Sequence, residues 1–198
     1  MVSGVKVLAT FAAAAVLTAG GCGGDDRSTE TNPGEPSAST PSSSISSTPT
    51  VPAATGILLD NGYLSAHAPA GWEDAHSALS RTKMAISSSG PTTGSTVSVG
   101  AVPLSLLQQW PIDVQAKTML KNSLGNLQRI AGYPRYDDRD WYHLTGSRLG
   151  KHYDTLGRNE LGTTKYTIAI NFIFPESLPA AARAQVIESV MATVSVEK

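Results

Sequence analysis

The sequence predicts an α+β domain in which an antiparallel β-sheet of about six strands carries packed helices. Composition places this domain in the second part of the 198-residue chain, since of the twelve Phe, Trp and Tyr residues only Phe11 precedes Tyr63. Periodic segments then follow in the order three strands, a helix, three strands and a helix, which one antiparallel sheet satisfies most simply. Residues 56–198 have the size of a single domain.

Charge and cysteine content exclude several classes of protein. The 15 Lys and Arg residues are balanced by 16 Asp and Glu residues, whereas a nucleic-acid binder relies on a clustered basic excess. The one cysteine, Cys22, permits neither an intramolecular disulfide nor a zinc site built on two thiolates. We therefore expect no nucleic-acid partner and no cysteine-based metal centre.

Residues 1–21 are predicted to be an export signal. Lys6 gives a basic start, and residues 7–19 are apolar apart from two threonines. This run is too short to cross a bilayer as a helix, which takes about 20 residues, but it suits the apolar region of a signal peptide. The segment Leu17-Thr-Ala-Gly-Gly then leads directly to Cys22.

This ending resembles the bacterial lipoprotein signal, in which small residues precede a cysteine that is acylated and becomes the new N-terminus. Ala19 is a departure, because the family prefers Leu or Val three residues before the cysteine. The alternative is a plain secretory signal, which would leave Cys22 as a lone thiol in an oxidising compartment. The resemblance implies a protein that is lipid-anchored to the cell membrane on its extracytoplasmic face. No adenine-nucleotide pool exists there, so we expect no nucleotide and no cofactor.

Residues 22–55 are predicted to comprise the lipidated cysteine and a tether. Within residues 25–55, 19 of 31 residues are Ser, Thr or Pro, and Ile45 and Val51 are the only large aliphatic residues. Such a segment buries too little apolar surface to offset its ordering entropy, so we expect disorder. Its composition also leaves O-glycosylation open.

The first half of the domain is predicted to contain three strands and a helix. Strands are expected at residues 63–72, ending in a Pro-Ala-Gly turn, and at residues 79–87 and 96–102. A helix is expected at residues 112–130, with Asp113 in its first turn. Its apolar face would consist of Ile112, Ala116, Leu120, Leu124 and Leu127.

The second half is predicted to contain three more strands and a closing helix. Strands are expected at residues 139–147 and 149–156, then a turn at 157–162 and a strand at 165–174. The last strand, with Ile170 at its middle, is apolar on one face and partly apolar on the other, which is typical of a central strand covered on both sides. The helix should span residues 179–191 and start at Pro179.

Several of these features together resemble a known family. They are the Pro69-Ala-Gly-Trp72 turn, the long helix, the strand Trp141-Tyr-His-Leu-Thr-Gly146 and the closing helix Val186-Ile-Glu-Ser-Val-Met-Ala-Thr-Val194. Over about residues 58–196 the chain resembles the LpqN/LpqT lipoproteins of mycobacteria and related actinobacteria. The resemblance implies a PsbP-like α/β/α sandwich and a non-enzymatic binding or accessory role at the cell envelope, where some members are linked to mycolate glycolipid handling.

Sequence motifs of known catalytic and metal sites are missing, so we predict no catalytic residues and no metal ligands. The chain has no Gly-x-Ser-x-Gly, His-Glu-x-x-His, Walker or Gly-x-Gly-x-x-Gly motif. His143 and His152 would face each other in a hairpin, but we interpret them as ordinary sheet histidines. Ser147, His143 and Asp140 could be drawn as a catalytic triad, but the sequence has no nucleophile elbow and no oxyanion-hole signal, so we do not interpret them as one. Residues 137–140 are interpreted as a solvated turn with its own countercharge.

Trp72 and Trp110 are the candidate ligand-binding residues. Trp72 follows a turn and Trp110 precedes a proline, positions where a side chain can line a groove mouth, although aromatic residues more often pack in a core. We predict a lipoprotein that binds an envelope protein or an amphipathic lipid or glycolipid without catalysis. The alternative is an envelope hydrolase or transferase with an unrecognised site. A cavity lined by Trp and aliphatic residues would favour binding, and converging His, Asp and Ser would favour the alternative.

Overall fold

A computed structural model describes residues 51–75, 81–103, 110–122, 127–161 and 165–197. These residues belong to one compact unit, Ser47–Lys198. The predicted signal, Cys22 and the tether up to residue 50 lie outside the described residues. The helices of the described part are α1 (Ile112–Asn122) and α2 (Ala180–Met191).

The strands of the described part are β1 (Leu58–Asp60), β2 (Leu64–His67), β3 (Glu73–Ala75), β4 (Thr82–Ile86), β5 (Thr96–Pro103), β6 (Gln128–Arg129), β7 (Arg135–Tyr136), β8 (Arg139–Asp140), β9 (Tyr142–Arg148), β10 (Lys151–Leu161), β11 (Lys165–Pro175) and β12 (Ser195–Val196). The main sheet has the order β3-β4-β5-β11-β10-β9-β6. A small sheet has the order β1-β2-β12, and β7 and β8 form a ribbon. All of these pairings are antiparallel. The predicted α+β class is therefore confirmed.

The main core combines one face of the main sheet with the small sheet and α2. Directly opposed residues on antiparallel strands share a face, which places Ile170 beside Val99 of β5 and Leu156 of β10. Each of these three residues is at most 1% exposed. The small sheet adds Leu59 and Leu64 to this core. Helix α2 adds Ile187, Val190 and Met191.

Helix α1 packs on the opposite face of the main sheet. Tyr142 pairs with Gly157 in the register of β9 and β10, so its side chain points away from the face that carries Leu156. Ala116 of α1 joins Tyr142 and Leu144 in a separate buried cluster. Gly157 leaves room for the Tyr142 ring, because a Cβ atom there would lie 2.6 Å from Tyr142 Cζ.

Helix α1 begins where it is predicted to begin but is shorter. Ile112, Leu120 and Leu127 pack on the α1 cluster as expected, and Leu124 lies outside the described residues. Residues 128–129 form β6, which pairs with β9, so the prediction of a helix up to residue 130 is wrong. The apolar period misleads because a residue just before a strand can cover the same cluster as a helical one.

Strand β10 continues through the residues predicted to form a turn. Positions 158–161 pair with β11, so the predicted turn at 157–162 is wrong for its described residues. Glycine and asparagine at 157 and 159 are typical of turns. Here Gly157 lies within a strand, and its lack of a side chain leaves space for the Tyr142 ring.

Smaller differences concern the ends of elements. Ala54 is 8% exposed and its N–H donates to Ser189 O of α2 at 2.9 Å, so the chain already contacts α2 two residues before the domain boundary predicted at residue 56. The strands β1, β6, β7 and β12 have two or three residues each, too few for a periodic pattern. Strand β11 and helix α2 lie as predicted, except that Pro179 is the N-cap residue of α2. Within the described ranges, no helix is long and apolar enough to span a membrane.

Candidate functional site

A cleft of about 430 Å³ lies beside the last residues of β10. Strand β9 accompanies β10 only as far as Gly157, the partner of Tyr142. Positions 158–161 therefore pair with β11 alone among the described strands. The start of α1 and the β7–β8 ribbon supply the other walls. The lining residues are Trp110, Ile112, Gln115, Arg135, Asp138, Arg139, Asp140, Arg158 and Asn159.

Gln115 connects Trp110 to the uncovered edge of β10. Its Nε2 donates to Trp110 O at 2.8 Å, and its Oε1 accepts from the Asn159 N–H at 2.8 Å. The residue is only 7% exposed, so the buried amide is satisfied at both ends. The same bridge supplies a partner for an edge N–H that β9 does not reach, and it fixes the backbone of Trp110 at the cleft.

Two guanidinium groups in the cleft share one carboxylate. Glu160 Oε1 lies 2.6 Å from Arg158 Nε and 3.3 Å from Arg139 Nε. Burial lowers the pKa of Arg158, and the positive charge of Arg139 lowers it further, whereas the charge of Glu160 raises it. The balance is a pKa below the ordinary arginine value, because burial and the neighbouring guanidinium together outweigh the charge of Glu160.

The β7–β8 ribbon holds further charged groups in the cleft wall. Asp137 and Asp138 have φ values of 49° and 56°, the left-handed region that Asp tolerates better than most residues. Arg139 Nη1 lies 2.5 Å from Asp137 Oδ2, so the countercharge predicted within this turn is present. Arg135 Nη2 donates to Asp138 O at 3.1 Å, and no carboxylate within the described ranges forms an ion pair with Arg135.

The two predicted binding residues occupy different environments. Trp110 is half-buried and lines the cleft, in keeping with its place before Pro111. Trp72 is 6% exposed and belongs to the main core, so its indole has little surface to offer a ligand. The groove-mouth position expected for Trp72 is therefore wrong, because its side chain is buried among the apolar residues of the main core.

A second polar cluster lies on the core face of β9 and β10, away from the cleft lining. His143 Nε2 lies 2.8 Å from Asp154 Oδ1, and His152 Nε2 lies 3.2 Å from Asp154 Oδ2. Asp154 is 4% exposed. The hairpin brings the two histidines to one buried carboxylate. The interpretation of His143 and His152 as ordinary sheet histidines is therefore wrong.

Ser147 extends this cluster towards solvent. Ser147 Oγ lies 3.1 Å from His152 Nδ1, and Thr145 Oγ1 lies 3.0 Å from His152 Nε2. The chain Ser147–His152–Asp154 thus contains the three groups of a nucleophile, a base and an orienting acid. Ser147, His143 and Asp140, the combination rejected as a triad on sequence grounds, do not form one: Ser147 contacts His152, and His143 contacts Asp154.

Hydrogen bonding decides the charge state of Asp154. Burial by itself raises the pKa of this carboxyl, but hydrogen bonds from His143 and Thr145 and the charges of His143 and His152 lower it more strongly. The net result is a pKa below the ordinary Asp value. Asp154 is therefore ionised at neutral pH despite its burial.

Metal binding gains no support from the described ranges, in which no group of three His, Cys, Asp or Glu residues is placed to hold an ion.

The polar cluster around Asp154 and most of the cleft are not predicted from the sequence. Arg135, Arg139 and Arg158 come from two separate segments, and Asp154 is an isolated acid in a strand. A usable signal was the alternation His152-x-Asp154, which puts both side chains on one face of a strand.

Comparison with known proteins gives little additional guidance. No protein-family model matches the sequence, and no curated protein matches it. Among solved structures, the chain is similar to a protein from Bacteroides thetaiotaomicron VPI-5482, with 13% sequence identity and a TM-score of 0.47. The match covers 73% of this chain and 49% of the other, so the chain spans about half the length of that protein. We base no conclusion on a likeness of this degree.

Asp154→Asn should destabilise the domain by on the order of 3 kcal/mol at neutral pH, since it removes the charge from a buried, histidine-bonded carboxylate. The folded-state pKa lies below the ordinary value of 3.8, so this contribution is present above about pH 4 and is lost as the pH falls through the folded pKa. Urea unfolding of both proteins between pH 3 and 7 should show their free energies of unfolding converging at the acidic end.

Asp74→Asn is the matched control for this measurement, because Asp74 is an exposed strand residue. It should change the free energy of unfolding by less than about 0.5 kcal/mol. Equal stability of Asp154→Asn and the unchanged protein at pH 7 would contradict the assignment of a buried, charged Asp154.

Proposed function

We propose that this protein is a membrane-anchored extracytoplasmic lipoprotein that binds an amphipathic envelope ligand, or an envelope protein, in the cleft at Trp110 without turning it over. The observation that carries the proposal is the cleft itself: a half-buried indole beside charged groups of both signs. Concave sites with an aromatic wall and a few fixed polar groups are the usual form of a ligand site.

The lining favours a polar head group over a wholly apolar ligand. Five of the nine lining residues are charged, whereas we expected mostly aliphatic neighbours for a binding tryptophan. Arg135 and Arg158 can only donate hydrogen bonds, and Asp138 and Asp140 can only accept them when ionised. Hydroxyl groups do both, so a head group rich in hydroxyls matches this wall, while Trp110 can cover its less polar surface.

The N-terminal sequence supports the location that we propose. A short apolar run, small residues and Cys22 match the bacterial lipoprotein pattern, and two or three acyl chains on Cys22 would hold the protein at the membrane far longer than one. We also propose that the protein is of the LpqN/LpqT type with a PsbP-like α/β/α sandwich. The packing of α1 and α2 on opposite faces of the main sheet agrees with that layer order.

The second candidate function is an ester hydrolase at Ser147. It is favoured by the hydrogen-bonded chain from Ser147 through His152 to Asp154, which no sequence motif indicates. It ranks second because none of these three residues lines the cleft. In addition, Asp154 is shared with His143, and Thr145 competes for the same nitrogen of His152.

Trp110→Ala should reduce ligand recovery by about tenfold or more, as expected for an aromatic anchor in a binding site. The compact unit of residues 47–198, which contains all members of both cores, would be incubated with a lipid extract of the cell envelope. Mass spectrometry would then quantify the bound material. Val114→Ala is the matched control, because Val114 is an exposed α1 residue outside the cleft lining.

The same incubation separates the two candidate functions. Intact ligand on the protein, with an unchanged extract, supports binding. Hydrolysed product that disappears with Ser147→Ala would make the hydrolase the better account. Full ligand recovery by a folded Trp110→Ala protein would refute the cleft as the binding site, and recovery of no lipid would leave an envelope protein as the proposed ligand.

Cys22→Ser should move the full-length protein from the membrane fraction to the soluble extracytoplasmic fraction, because it removes the only site of thioether acylation. Fractionation and immunoblotting would measure the distribution, and metabolic labelling with a fatty acid should detect the unchanged protein only. Thr18→Ser, a change in the same segment that keeps the cysteine, should remain in the membrane fraction. A Cys22→Ser protein as firmly membrane-bound as the original would contradict lipid anchoring.

A further inference from the structure

The turn between β9 and β10 carries an unusual residue. Only Leu149 and Gly150 connect the two strands, and their φ values are 52° and 70°. A two-residue hairpin turn with positive φ at both positions favours Asn or Asp followed by Gly. Gly150 meets this requirement, whereas Leu149 places a bulky side chain in a backbone conformation that such residues avoid.

The Leu149 side chain contributes nothing to either core. It is 87% exposed, more than any other large apolar residue in the described part of the chain. A single exposed leucine is ordinary on a protein surface. A leucine that is both almost fully exposed and held at positive φ is harder to explain by folding, and backbone strain of this kind points to a function outside the fold.

Basic residues flank the tip on both strands. Arg148 and Lys151 are register partners directly below Leu149 and Gly150, so two cations sit at the base of an apolar protrusion. Glu176 also approaches the turn through its backbone N–H, which donates to Gly150 O at 3.1 Å. An apolar side chain between cations matches the boundary of a bilayer, where acyl chains lie just beneath anionic phosphates.

We propose that the β9–β10 tip is a membrane-contact site that inserts Leu149 into the surface of a bilayer containing anionic lipids, with Arg148 and Lys151 at the phosphate level. This inference goes beyond the proposed function and stands whether or not the cleft binds a ligand. Arg158 is seven positions along β10 from Lys151, about 24 Å at the usual strand rise. A tip-down orientation therefore keeps the cleft away from the membrane that the tip contacts.

Vesicle co-sedimentation of residues 47–198 tests this site, since the unit contains no signal segment and no lipid anchor. We expect binding to vesicles of phosphatidylglycerol and phosphatidylcholine, and weaker binding to phosphatidylcholine alone. Leu149→Asn should weaken binding to the mixed vesicles roughly tenfold, as expected for loss of one inserted leucine. Its melting temperature should stay the same or rise, because Asn tolerates positive φ.

Val102→Thr is the matched control. Val102 is 56% exposed and pairs with Thr167, near the end of the main sheet that is opposite to the tip. Its change should therefore leave vesicle binding unaltered. Lys151→Gln should weaken binding to the anionic vesicles and have little effect on the neutral ones. Three results would contradict the tip as the contact site. The unchanged protein would not bind anionic vesicles, Leu149→Asn would bind them as well as the unchanged protein does, or Val102→Thr would lose as much binding as Leu149→Asn.

A fluorophore gives a second, direct measurement. Because Cys22 is the only cysteine of the chain, Leu149→Cys and Val102→Cys can each be labelled at one site in residues 47–198 with an environment-sensitive dye. Emission of the dye at position 149 should shift to the blue on adding anionic vesicles, and emission at position 102 should not. Equal shifts, or none, would overturn the proposal.

Discussion

The pairing of β10 with β11 is the interaction on which the rest of the structure depends. Eleven consecutive residue pairs join the two strands, and one face of β11 is fully buried through Ile168, Ile170, Phe172 and Phe174. Burial of this face sets the register, since a slip of one residue would bring the apolar set to the opposite side. Both surfaces to which we assign a function lie at the ends of this long pair.

The cleft exists because the neighbouring strand is shorter. Strand β9 covers the first seven residues of β10 and then gives way at the Tyr142–Gly157 pair. An uncovered strand edge leaves backbone groups without partners. Gln115 satisfies one of them and brings the start of α1 with it, so the residue that completes the sheet edge also positions Trp110. The other end of β10 is closed by a two-residue turn, which leaves Leu149 in solvent.

The parts predictable from the sequence are those with a sustained local pattern. Alternating apolar residues locate β11, and the place of Trp110 before Pro111 indicates a position outside a helix. The continuation of β10 was not predictable, because Gly157 has the composition of a turn and its strand role depends on the distant Tyr142 ring. The same holds for the polar cluster: Asp154 rather than Asp140 meets His143 because the turn at Leu149 sets the register. Local propensity contains no information about such partners.

The central claim, that the cleft at Trp110 binds a ligand, can be tested on the three tryptophans of the chain. Their indole N–H groups give separate NMR signals in ¹⁵N-labelled protein, and the other two tryptophans are internal controls. Trp72 is a core residue, and Trp141 is fully buried with its Nε1 donating to Tyr136 O at 3.1 Å. On titration with dispersed envelope lipid extract, the account predicts a shift of the Trp110 signal alone. A Trp110 signal that stays in place while ligand is bound elsewhere would contradict it.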